Sequence, residues 1–183
     1  MTKRLKSIAV YCGHQFGNNP QFEKDAWAVG QMLAKNGIRM VFGGGDVGLM
    51  GTVANGALEN GGDVKGVSTD DVIALQEPAH ANVEMQIVDG VNERKQIMFE
   101  MSDAFIILPG GIGTLNELSD IMTMQHIGET KKPLFFLNTG NFWAPLGELI
   151  EHMIENGFVG TIDNYHMFNA NTVAELTEQI LGY

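Results

Sequence analysis

The chain is short of cysteine, of basic residues and of long apolar runs, and each shortage closes off a class of protein. Cys12 is the only cysteine in 183 residues, which excludes an intrachain disulfide and a thiolate metal cluster. Lysine and arginine number 11 against 22 aspartates and glutamates, for a formal charge of −11. Apart from Lys3-Arg4-Leu5-Lys6 there is no basic run, which argues against nucleic acid or an anionic membrane as partner. No segment approaches the roughly 20 apolar residues of a membrane helix. The run at residues 8–12 is too short for a signal-peptide core, so a cytoplasmic protein is expected. The histidines, His14, His80, His126, His152 and His166, have no zinc-motif spacing, and no nucleophile elbow is present. Neither a metal nor a cofactor is expected.

What the chain does have is glycine, 23 residues of it, concentrated in two loops. Each loop closes an apolar run and opens a helical pattern: Phe42-Gly43-Gly44-Gly45-Asp46-Val47-Gly48-Leu49-Met50-Gly51 and Leu108-Pro109-Gly110-Gly111-Ile112-Gly113-Thr114-Leu115-Asn116-Glu117. Free backbone N–H groups at such a helix mouth can approach an anion, and the helix dipole adds partial positive charge. Two such loops in one short domain point to a phosphorylated small molecule.

The 44% hydrophobic content and the length fit one globular domain, residues 1–183. Strand-like runs at 7–12, 38–42, 64–67, 83–89, 104–108 and 133–137 alternate with helical patterns at 20–36, 49–60, 92–101, 114–127, 143–156 and 172–181. Residues 69–78 read as neither. Along the first helix Phe22, Ala26, Val29, Gly30 and Leu33 share a face. The alternation predicts a Rossmann-like α/β fold, a mainly parallel sheet with helices on both faces. Ligands of such sheets bind beyond the C-terminal strand ends, where strand order reverses.

Gly43, Gly45 and Gly48 formally match a dinucleotide GxGxxG motif. They follow the second strand rather than the first, and Asp63 fits the distant acidic partner only loosely. No length remains for a dehydrogenase's substrate domain. In the second loop Thr114 and Glu117 fit a capping box, with Thr114 as N-cap. That reading accounts for Thr-x-x-Glu but not for the bare glycines before it. Glu117 is also the acid–base candidate. Arg94 and Lys95 lie in the first turn of their helix, where cations oppose the dipole unless an anion is bound.

These three segments resemble the Lonely Guy (LOG) family, the cytokinin riboside 5′-monophosphate phosphoribohydrolases. The family carries a GGGxxGLMG loop, a helix with ERK, and the pattern PGGxGTxxE. Here they stand as Gly43 to Gly51, Glu93-Arg94-Lys95, and Pro109 to Glu117. The resemblance implies cleavage of the N-glycosidic bond of AMP or an N6-substituted AMP, giving free base and ribose 5-phosphate. It implies Arg94 and Glu117 as catalytic residues. Its substrate-binding set falls on Gly43, Gly44, Gly45, Gly48, Met50, Lys95, Gly110, Gly111, Ile112, Gly113, Thr114 and Thr123. It also implies a homodimer, for which the Met-rich segment 121–124 is suited.

Members have often been labelled lysine decarboxylases, but no lysine here sits in a pyridoxal-phosphate context. The chain departs from the family's usual residues at His14-Gln15, at Val91-Asn92 and at Met124-Gln125-His126-Ile127-Gly128, all around the expected pocket. The alternative within the same superfamily is a non-catalytic nucleotide or cofactor carrier, as in molybdenum cofactor carrier proteins.

Overall fold

A computed structural model describes residues 4–76, 80–161 and 165–183. Among the described residues seven strands run as β1 (Ser7–Tyr11), β2 (Arg39–Phe42), β3 (Val64–Ser68), β4 (Glu84–Ile87), β5 (Ala104–Ile107), β6 (Leu134–Leu137) and β7 (Met167–Ala170). The helices between and after them are α1 (Pro20–Lys35), α2 (Gly48–Leu58), α3 (Asp70–Gln76), α4 (Val91–Glu100), α5 (Ile112–His126), α6 (Ala144–Glu155) and α7 (Val173–Gly182). All strand pairs are parallel, in the order β4-β3-β2-β1-β5-β6-β7. The expected Rossmann-like sheet is therefore present.

Local chemistry accounts for these elements. Asn19 caps α1 by accepting the Gln21 N–H at 2.9 Å, and Pro20 supplies the preset first-turn φ. The helix stops before Gly37, which has φ of 64°. The central strands are apolar on both sides because both of their faces are covered. One core lies between the sheet and α1, α2 and α7, with Val10, Leu33, Phe42, Val53 and Leu176 in it. The other lies under α4 and α5, with Ala9, Met98, Phe105, Leu118 and Ile121.

Several expectations need correction. Residues 69–76 contain a helix, α3, opened by Asp70 and Asp71 in its first turn; residues 77 and 78 of that segment, like Lys3 of the basic cluster, lie outside the described residues. β7 was not legible as a strand. It pairs only with β6 and buries just Ala170 fully, so it carries little apolar pattern. Thr114 is not an N-cap. The helix α5 starts two residues earlier, with Gly111 at the cap and no side-chain cap bond.

The strand order reverses between β1 and β5, so the loops after β1, β2 and β5 share one edge of the sheet. They are stitched together there. The Gly13 N–H donates to Pro109 O at 3.0 Å, and the Met50 N–H donates to Gly13 O at 3.3 Å.

Candidate active site

Arg94 and Glu117 reach each other across this edge from α4 and α5. The guanidinium Nη2 lies 3.5 Å from the carboxylate Oε1, with the two side chains only 10% and 11% exposed. Arg94 is fixed from behind, its Nε donating to Val67 O at the end of β3 at 3.0 Å. It is also crowded by the first glycine loop, since a Cβ on Gly43 would lie 2.2 Å from Nη2. A cation in a first helical turn is explained by these two anchors and by the facing carboxylate.

Burial pushes the Glu117 carboxyl up to about 7, against the opposing pull of Arg94 and Lys95. A carboxyl poised there exchanges its proton near neutral pH, the range in which general acid–base groups work best. Its surroundings feel the same isolation. Burial, then the neighbouring Glu117 charge, raises both the Tyr11 phenol and the Cys12 thiol above their ordinary values.

Lys95 reaches Glu117 from the other side, in the cleft between α4 and α5 that both residues line. Its Nζ pairs with Asp120 Oδ2 at 2.5 Å and donates to Asn116 Oδ1 at 2.9 Å, tying α4 to α5. That cleft, of about 250 Å³, has Tyr11, Asn92, Glu117 and Asp120 in its walls.

The two loops are built differently. In the first, Gly43, Gly44, Gly45 and Gly48 are buried, and the Met50 thioether packs beneath Gly43 and Gly45. Gly48 has φ of 57°, and a Cβ there would meet the His14 carbonyl at 2.3 Å; glycine is required by both conformation and space. In the second, Gly110 makes room for the buried Thr114, whose Oγ1 would be 2.1 Å from its Cβ. Gly111 and Gly113 are exposed, with nothing within 4 Å of a Cβ. A crevice of about 220 Å³ lies between this loop and Gly13, His14, Leu49 and Phe142.

Ile112 and Thr123 stand apart. Both line a larger groove of about 620 Å³ between α5 and α6, with Leu115, Met122, Met153 and Phe158. The structure therefore does not bring Thr123 to Arg94 and Glu117; its hydroxyl donates to Ser119 O at 2.8 Å. Ile112 is 82% exposed and Phe158 is 84% exposed. Within segment 121–124, Ile121 turns into the core, while Met124 faces the α4 cleft. Among the described residues no group of three or more His, Cys, Asp or Glu is placed to hold a metal ion.

Sequence reasoning missed Lys95–Asp120 and the burial of Glu117, because both depend on α4 and α5 lying side by side. It also missed His80, a buried imidazole against the first loop. A histidine in an unassigned segment gives no local sign of burial.

Comparison with known proteins gives the family and the fold. Residues 50–180 match the family described as "Possible lysine decarboxylase". A cytokinin riboside 5′-monophosphate phosphoribohydrolase of Rhodococcoides fascians is 41% identical over 155 residues, covering 84% of this chain and 78% of its own. The LOG phosphoribohydrolase of Oryza sativa subsp. japonica is 34% identical over 98% of this chain and 74% of its own. Among solved structures, the molybdenum cofactor carrier protein of Chlamydomonas reinhardtii superimposes with a TM-score of 0.73 at 21% identity, covering 98% of this chain and 100% of its own. The molybdenum cofactor binding protein of Rippkaea orientalis gives 0.72 at 23%, covering 98% and 97%. At those identities the likeness shows the fold alone.

Proposed function

This chain belongs to the Lonely Guy (LOG) family, the family described as possible lysine decarboxylase, and on that premise we propose that it hydrolyses the N-glycosidic bond of a nucleoside 5′-monophosphate. AMP and N6-substituted AMP are the substrate class, and free base and ribose 5-phosphate the products. The observation that carries this reading is the buried Arg94–Glu117 pair with its carboxyl near neutrality. In the reaction water adds to the ribose C1′ as the C1′–N bond breaks. The bonding electron pair leaves with the base nitrogen, which takes up a proton.

The ionised Glu117 is suited to accept the water's proton and to stabilise the oxocarbenium-like state beside it. Arg94 holds that carboxylate in place. The bare second loop, at the N-terminus of a 15-residue helix, is suited to the 5′-phosphate. Binding energy from that remote group then positions the ribose.

Incubation with a panel of nucleoside monophosphates, following free base by chromatography, tests the reading. Base release from AMP or an N6-substituted AMP is expected. Tight binding without release from any member would replace the enzyme by a carrier.

A homodimer and a cytoplasmic setting belong to the same proposal. The apolar α5–α6 groove, with Ile112 and Phe158 largely exposed, is suited to a second copy of the chain. Light scattering of wild type and Phe158→Glu tests it: dimer and monomer, respectively, are expected. Fractionation tests the compartment.

A further inference from the structure

The first glycine loop carries a carboxylate, which sets it apart from a phosphate cradle. Asp46 stands in the middle of the loop with its side chain 42% exposed, where it repels a phosphate dianion rather than attracting one. It is also held in place. The buried His80 imidazole accepts the Asn82 N–H on Nδ1 at 3.3 Å, so its own proton sits on Nε2. That Nε2 donates to Asn55 Oδ1 at 3.0 Å and lies 3.4 Å from Asp46 Oδ1. The His80 backbone N–H meanwhile donates to Gly44 O at 3.1 Å. One residue thus fixes the loop's backbone and faces its carboxylate, leaving the rest of that carboxylate open.

Position decides what it accepts. Asp46 follows β2, beside the switch strand β1, and three residues before it Gly43 packs on Arg94. In doubly wound nucleotide folds a carboxylate downstream of the glycine-rich turn accepts a hydrogen bond from the ribose 2′-OH, and Asp46 is the carboxylate that this chain's first glycine-rich loop carries. In a nucleoside monophosphate the ribose joins the phosphate to the scissile bond, so it lies between the second loop and the Arg94–Glu117 pair. We infer that Asp46, oriented by His80, accepts hydrogen bonds from the ribose hydroxyls of the substrate and makes the enzyme selective for ribonucleotides. The inference rests on the function proposed above.

The test is a cycle between substrate and protein. Values of kcat/KM are measured for AMP, 2′-deoxy-AMP and 3′-deoxy-AMP with wild type, Asp46→Ala and Asp46→Asn, each checked by thermal melting. Loss of a charge-assisted hydrogen bond is worth about tenfold to a hundredfold on AMP. At least one deoxy substrate is expected to lose less than about threefold, since the bond is already missing there. Equal losses on all three substrates, or no loss on any, would overturn the inference while leaving the activity intact. No base released from AMP by the wild type would instead remove the functional reading beneath it. His80→Gln is expected to lower the ribose preference severalfold; an unchanged preference would overturn its orienting role.

Discussion

The two glycine loops look alike as strings of residues and differ in what their glycines are for. In the first, added side chains would strike Arg94, Met85, Met50 or the His14 backbone, so its glycines serve internal packing. In the second, Gly111 and Gly113 meet nothing. Their missing side chains leave open space at the helix mouth, which suits the phosphate role proposed for this loop. One loop packs against Arg94; the other lies open at a helix N-terminus.

The sharpest way to break that division is Glu117→Gln, at the helix that the second loop opens. Loss of the acid–base group is expected to reduce kcat about 10²–10⁴-fold, measured by base release. The same variant reports on burial. Glu117 holds its proton to about pH 7 in the folded protein, against 4.5 as the ordinary value. Stability associated with the proton is therefore full below pH 4.5 and is lost as pH rises through 7. At pH 8, where wild-type Glu117 is ionised against its burial, replacing it by neutral Gln is expected to cost less stability than the same change at pH 5, read from denaturant midpoints. Near-normal turnover would end the catalytic assignment. The wild-type kcat/KM profile should accordingly fall on its acid side near pH 7.

Gly43→Ala comes next. Its Cβ would lie 2.2 Å from Arg94 Nη2, the movable end of a long side chain, so the guanidinium shifts and the fold stays. A loss of about tenfold to a hundredfold in kcat/KM is expected from misplacing the pair, with a stability change within about 1 kcal/mol. A variant with full activity would show that Gly43 does not set the position of Arg94.

Gly113→Ala is the mildest test and reverses the sign. Alanine in a helix turn gains up to about 1 kcal/mol over glycine, and nothing obstructs it here. Stability should rise while KM for nucleotide rises about threefold to tenfold, because a methyl group now stands at the helix mouth. Unchanged KM would return the second loop to a structural role.

Much of this was legible in the sequence, for reasons that are physical. The alternation of apolar runs and helices marked the sheet, and the loops at strand ends marked its functional edge. Boundaries set by strong local signals, such as Asn19-Pro20 and Gly37, fell within a residue of the observed ends. Where local rules were degenerate, reading stopped. Thr114 and Glu117 satisfy a capping pattern, yet Thr114 packs on Gly110 and Glu117 turns to Arg94. Spacing along one segment cannot say which distant group competes for a side chain. Edge strands such as β7 suffer the same way, because half-exposed residues carry little pattern. Asp46 was visible as a letter; its meaning came from His80, 34 residues away in the chain.

The strand order has a consequence for how the protein reaches this state. β1 pairs with β2 nearby, but its other partner is β5, with Ile8 opposite Ala104. By chain entropy closing that distance costs about 1 kcal/mol more than closing β1 on β2, which predicts that β5 docks after β1 to β4. A form with only β1 to β4 paired would have Val67 O, the first loop and Asp46, but no carboxylate opposite Arg94. Such a form is a scaffold without a reacting pair. Activity regained during refolding should therefore lag behind the recovery of helix and track the docking of β5, which makes turnover a clock for the last step of assembly.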